Sequence, residues 1–220
     1  MEEAIVYFTK KITSENILEI YKKLNANLDG KVAIKVHSGE KGNQNFLKPA
    51  FYKNIVEHLN GTIVECNTAY DGERNTTEKH MKLLEDHGWK ELYNVDLLDY
   101  EKDIELPIKE SKHIKTNFVG QHIENYDSLL VLSHFKGHPM GGYGGALKNM
   151  SIGLASSYGK ANIHGAGEPK KIWTADHDSF LESMAEASSS IIEYRKNKLA
   201  FINVMCNMSV DCDCCAKAED

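Results

Sequence analysis

The chain has 220 residues and a formal net charge of −6, with 26 Lys and Arg against 32 Asp and Glu. That balance excludes the basic face on which general nucleic-acid binding depends. No apolar run approaches the roughly 18 residues of a membrane span, and the opening MEEAIVYF lacks the basic start of a signal peptide, so a cytoplasmic location is expected.

In chain order, residues 4–8, AIVYF, read as a first strand. Thr13 suits an N-cap, and Ile17, Ile20, Tyr21, Leu24 and Leu28 form one helical stripe that stops at Asp29-Gly30. VAIKVH (32–37) is a second strand that runs into the polar loop SGEKGN. Pro49 suits the first turn of the next helix, with Phe51, Ile55, Val56 and Leu59 inward and Gly61 as its stop. TIVEC (62–66) is a third strand, followed by NTAYDGERN. Asn75 and Glu78 then fit a capping box for a helix through His87. Between 90 and 127 the register weakens, and VDLL, IELPI and HIKTNF suggest shorter strands in a small subdomain or an antiparallel edge. Leu129 to Ser133 read as a short buried strand, then a loop, then a helix from Ala146 with Leu147, Met150 and Leu154 at helical spacing. Ser179 and Glu182 fit another capping box, and LAFINVM (199–205) is a last strand.

This alternation predicts an α/β fold, a mostly parallel sheet flanked by helices in a Rossmann-like three-layer arrangement. Right-handed crossovers place the loops 37–45, 67–75 and 134–146 along one edge of the sheet, the edge where such folds bind ligands. A single α/β domain over 1–220 is expected, and the buried strand that feeds directly into cysteines reads as the N-terminal part of a longer protein.

The residues that carry chemistry concentrate in LLVLSHFKGHPMGGYGGALKNMSIGLASSYGK, 129–160. His134, Lys136 and His138 stand beside Gly141, Gly142, Gly144 and Gly145, with Lys148 and Asn149 following. The P-loop spacing is absent, and Leu147 stands where a dinucleotide fingerprint needs its third glycine. What remains is a glycine-rich turn before a helix, able to offer backbone N–H groups to an anion, or else a tight turn with no ligand. Imidazole suits proton transfer near neutral pH and borderline metals; lysine suits a carboxylate or phosphate, or acts as a nucleophile when desolvated. His134, Lys136, His138 and Lys148 are therefore the candidate catalytic residues. Gly141, Gly142, Gly144, Gly145, Lys148 and Asn149 are the candidate cofactor-binding set, and His164, in the second glycine loop IHGAGEP, is a candidate metal ligand.

The five cysteines are unevenly placed: Cys66 stands alone, while Cys206, Cys212, Cys214 and Cys215 crowd the last fifteen residues. Clustering favours metal or redox use over a disulfide framework. Thiolates at this density suit an iron–sulfur cluster or zinc. The spacing is not ferredoxin-like, however, and the neighbours Cys214 and Cys215 are poorly placed to hold one ion together.

The run SHFKGHPMGGYGGALKNMSIG, with DCDC further on, resembles the uncharacterised family called domain of unknown function 362, whose members carry the description iron–sulfur cluster-binding. The likeness covers essentially the whole chain, HSGEKGN and NTAYDGER included. More distantly, HPMGGYGGALKNMSIGLAS followed by NIHG is similar to the nickel-pincer lactate racemase family. That resemblance implies a lysine tether for the pincer nucleotide at Lys148, a nickel ligand at His164 and a proton relay at His138.

Taken together, these readings predict a metal- or iron–sulfur-cluster-binding protein, a redox-type enzyme with its site at 134–149. The alternatives are a nickel-pincer-like racemase or epimerase and a non-enzymatic cluster- or metal-binding scaffold. The cofactor is expected to be an iron–sulfur cluster or another transition metal, with a pincer-type nickel nucleotide as alternative. The expected partners are a small-molecule or anionic ligand and a redox partner, with no nucleic acid and no membrane.

Overall fold

The computed structural model describes residues 5–210. In chain order the elements are α1 (Ser14–Leu24), β1 (Val32–Lys35), α2 (Lys53–Leu59), β2 (Thr62–Glu65), α3 (Thr77–Asp86), α4 (Trp89–Leu92) and β3 (Val95–Leu97). They continue as β4 (Asp103–Pro107), β5 (Thr116–Gly120), β6 (Ser128–His134), β7 (Lys136–His138), β8 (Gly142–Gly144), α5 (Ala146–Leu154), α6 (Ser157–His164), α7 (His177–Arg195) and β9 (Leu199–Val204).

Five strands form one sheet in the order β3-β2-β1-β6-β9, and every pairing in it is parallel. The α/β class and the parallel sheet flanked by helices are thus as the alternating pattern predicts. In β1, Val32 and Ile34 face α1 to α4, joining Leu130, Leu132, Ile17, Ile55, Leu84 and Trp89 in one apolar cluster. Ala33 faces the other way, with Leu129 and Val131, against Met150 and Leu154 of α5 and Ile191 of α7. Because helices cover both faces, β6 is buried at every position, and it reads as an unbroken apolar run for that reason.

From β1 the chain winds outward through β2 and β3, then returns to place β6 on the other side of β1. The strand order therefore reverses between β1 and β6, and a crevice opens beyond their carboxyl ends. The weak-register region supplies β3 as a parallel edge strand and β4–β5 as an antiparallel ribbon. The ribbon packs on α6 and α7, with Ile108 and Ile114 buried among Ile152, Ile163, Phe180 and Met184.

Several local expectations need correction. Residues 5–8 form no strand: the open edges of the sheet are β3 and β9, this stretch pairs with neither, and Val6 is 86% exposed. Strand-forming side chains do not make a strand without an edge to join. The first helix ends at Asn25, which adopts the left-handed conformation, so Leu28 lies beyond its stripe. The helix after β2 is capped by Thr76, whose hydroxyl accepts from the Lys79 N–H, instead of by Asn75. Likewise Asp176, accepting from the Ser179 N–H, caps α7 three residues ahead of the predicted Ser179. The stretch after Ser133 is no loop: His134 completes β6, and β7 pairs with β8 as a short antiparallel ribbon.

Candidate functional site

A cavity of about 760 Å³ lies at the carboxyl edge of the sheet, where β1 and β6 part. The ends of β1 and β2, the segments after them, the β7–β8 ribbon, α5 and α6 form its walls. The volume suits a small organic ligand.

Three linked ion pairs, Lys35–Glu65, Arg74–Glu65 and Arg74–Glu40, form one wall. Lys35 Nζ donates to Glu65 Oε2 at 2.7 Å and to Asn149 Oδ1 at 2.8 Å. The other Glu65 oxygen accepts from the Ser38 N–H and hydroxyl and from Arg74 Nη1 at 3.3 Å. Arg74 also grips Glu40 through Nε at 3.0 Å, and the Tyr70 hydroxyl donates to the same Glu40 oxygen at 2.7 Å. Burial pushes the Glu65 carboxyl up, but Lys35 and then Arg74 outweigh it and hold it well below the usual carboxylate range. Glu40 follows the same logic: burial raises it, and Arg74 leads the charges that bring it net below its ordinary value. Both acids are therefore ionised at neutral pH, and their cations are held in place.

His134, Lys136, His138, Lys148, Asn149 and His164, named from the sequence, all line this one cavity. They arrive from β6, β7, α5 and α6. Gly144 and Gly145 line it as well, whereas Gly141 and Gly142 do not. The Gly141 N–H is engaged by His138 Nδ1 at 2.9 Å. Gly142, with φ +70°, allows the tight reversal between β7 and β8. Gly144 sits between Lys136 and Lys148, whose side-chain carbons pass 3.8 and 3.7 Å from the position a Cβ would take. The start of α5, which carries Lys148, is held by Asn203 of β9, whose Oδ1 accepts from the Ala146 N–H at 2.9 Å.

The histidines differ in tautomer. His138 accepts at Nδ1, so its neutral ring carries the proton on Nε2. The Nδ1–H of His164 donates to the Lys160 carbonyl at 2.7 Å, which leaves the lone pair on Nε2. Burial, ahead of the nearby lysines, brings His164 down to about 4, so its ring is neutral at physiological pH. It also stacks on Phe180, with ring centroids 4.9 Å apart. His134 donates from Nε2 to the Cys206 carbonyl.

The lining contains six Lys and Arg (Lys35, Lys41, Arg74, Lys136, Lys148, Lys160) against four Asp and Glu (Glu40, Glu65, Asp71, Glu73). A chain that is acidic overall thus presents a basic cavity, which favours an anionic ligand.

Of the predicted metal set, His164 lines the cavity. Cys206 is half-buried and lies outside the cavity lining; Cys212, Cys214 and Cys215 lie outside the described residues. Among the described residues no group of three or more His, Cys, Asp or Glu is placed to hold a metal ion. No helix among them is long and apolar enough to cross a membrane.

The family model described as "Domain of unknown function (DUF362)" matches residues 32–220. The chain belongs to that family. Among solved structures, this DUF362 chain is similar to the lactate racemase apoprotein from Thermoanaerobacterium thermosaccharolyticum. The TM-score is 0.55 at 16% identity, over 89% of this chain and 49% of that one. It is similar also to a structural-genomics protein from Thermotoga maritima, with a TM-score of 0.54 and 20% identity over 88% of this chain and 51% of the other. The DUF362 chain spans about half the length of each, and likeness at this identity shows the shared fold. No curated protein matches it.

Sequence reasoning missed Lys35, Glu40, Glu65, Arg74, Lys160 and Trp173 in this DUF362 cavity. A signal was available for two of them. A lysine in VAIKVH and a glutamate in TIVEC are charges inside otherwise apolar strands, and in a sheet covered on both faces such charges must be paired.

Proposed function

We propose that the cavity is the site of an enzyme that binds a small anionic molecule and moves a proton at it. The observation that carries this reading is the convergence of His138, Lys148 and His164 on one basic cavity at the switch point of a parallel sheet. His138 presents its Nε2–H to the ligand as a hydrogen-bond donor, and His164, neutral with its Nε2 lone pair available, accepts a proton from it. Lys136 and Lys148 draw the anionic group in. Thermal-shift measurements with small carboxylates and phosphates test the binding half. Stabilisation by such anions that is reduced in Lys148→Met supports the proposal; stabilisation that is absent, or unaltered in that variant, refutes it.

The placement of Lys148 and His164 favours a second, narrower reading: a pincer-type nickel nucleotide, as the sequence resemblance to the nickel-pincer lactate racemase family implies. The residues present fit such a group. Lys148 offers an amine to carry the nucleotide, and His164 offers a ring nitrogen for which no proton competes above about pH 4. A group that brings most of its own metal donors also suits a cavity without a three-residue ligand set among the described residues. When bound it would supply an electron-accepting metal centre. Intact-mass and peptide analysis of protein from its native cells tests this, because an unmodified Lys148 there contradicts it. An iron–sulfur cluster rests on the tail's composition alone, and reconstitution with iron and sulfide followed by visible absorption tests it.

A further inference from the structure

Two groups in the cavity are left unused by the reading above, one at its mouth and one in its wall. Trp173 is 64% exposed and Tyr70 40% exposed, yet both line the cavity. They come from different segments, one beyond α6 and the other beyond β2, and their rings meet with centroids 6.4 Å apart at 49°. Tyr70 is held in advance, since its hydroxyl donates to Glu40, which Arg74 anchors. An aromatic surface fixed before a ligand arrives costs little entropy when the ligand stacks on it.

The wall group is Lys160. It is 7% exposed and lines the same cavity, and among the described residues its ammonium donates only to the Ala155 carbonyl, at 2.6 Å, and makes no ion pair. Asp99 and Glu65 act on this charge from beyond direct contact and only partly offset its burial, so an ammonium with two N–H groups to spare can still take an anion at bonding distance.

Resting on the anion-binding reading, we infer that the ligand has two ends: an anionic group that reaches Lys160 and a flat aromatic ring that stacks on Trp173 beside Tyr70. A nucleotide and an aryl carboxylate both carry this pair of features. The order along the cavity follows from exposure, with the charge inside and the ring at the rim.

The chain contains two tryptophans, and Trp89 is fully buried, so fluorescence changes on binding report Trp173. Titration of the full chain with AMP and phenylacetate, each against its ringless counterpart, ribose 5-phosphate and acetate, tests the inference. Saturable quenching is expected from AMP or phenylacetate, with affinity at least about fivefold above the ringless partner; which of the two quenches identifies the source of the ring. Trp173→Leu should abolish that advantage, while Lys160→Met should weaken ring-bearing and ringless probes alike by calorimetry. Trp173 is exposed, so its replacement leaves the fold intact. Equal affinity of ring-bearing and ringless probes overturns the inference while the anion-binding reading stands. No binding by any of the four overturns both.

Discussion

The Lys35 ammonium lies 2.7 Å from the Glu65 carboxylate, and both side chains are almost wholly excluded from solvent. Such a pair adds little net stability beyond what a well-packed apolar pair would give, but loss of one partner strands the other charge. Glu65→Gln leaves Lys35 uncompensated and frees one arm of Arg74, so it should cost about 3–5 kcal/mol in chemical denaturation. Lys35→Met should cost less, because Ser38 and Arg74 still satisfy Glu65. An equal loss in the two variants would show that the network does not divide the charge this way.

Acid should destabilise the fold in two stages. His80, fully buried, and His164 are lowered to about 3 and about 4 from an ordinary 6.5, with burial the first cause in each. Glu65 is depressed from 4.5 by Lys35 and Arg74 acting against burial. In all three the unfolded chain takes up a proton more readily than the fold does, so stability is complete at neutral pH and falls as pH falls. The histidine contribution starts to drop below about 6.5, and that of Glu65 below about 4.5. Denaturation midpoints followed from neutral pH downward check the sequence, and His164→Asn should flatten the upper stage.

Gly153 lets α5 lie directly on Lys35. A Cβ there would come within 2.7 Å of Asn149 Oδ1 and 2.9 Å of Lys35 Nζ. Alanine in place of glycine ordinarily favours a helix by about 1 kcal/mol. Here the pinned ion pair cannot give way freely, and Gly153→Ala should reverse that sign, with a loss of about 1–3 kcal/mol on overpacking. A thermal melt that rises in this variant would contradict the close approach.

Cys66 lines the cavity, yet its thiol should be inert. Burial, followed by Asp99, pushes it far above its ordinary value, and its Sγ donates to the Leu154 carbonyl at 3.3 Å. Iodoacetamide should label Cys66 only after unfolding, as read by peptide mass spectrometry. Rapid labelling of Cys66 in the native protein would mean that the thiol is not held as described.

The sheet was legible because buried parallel strands are unbroken runs of Val, Ile and Leu, as at 129–132. The cavity's edge followed from the crossover rule, since the segments after β1, β2 and β6 all end there. AIVYF misled because it has the composition of a strand, while pairing depends on an edge that composition does not encode. The ion pair escaped notice because Lys35 and Glu65 are thirty residues apart and become neighbours only once register sets Lys35 beside Val64. Trp173 lies in an irregular segment, where no periodicity separates a ligand contact from a surface residue.

The late part of the chain acts as a latch on the cavity. Asn203 holds the first turn of α5, the Cys206 carbonyl receives His134, and Ser209 accepts from the Gly137 N–H at 2.7 Å. Residues 134–149 therefore gain these three contacts only once β9 has docked beside β6. A nascent chain stalled before that point would contain four of the five sheet strands and lack these three contacts at the rim of the cavity.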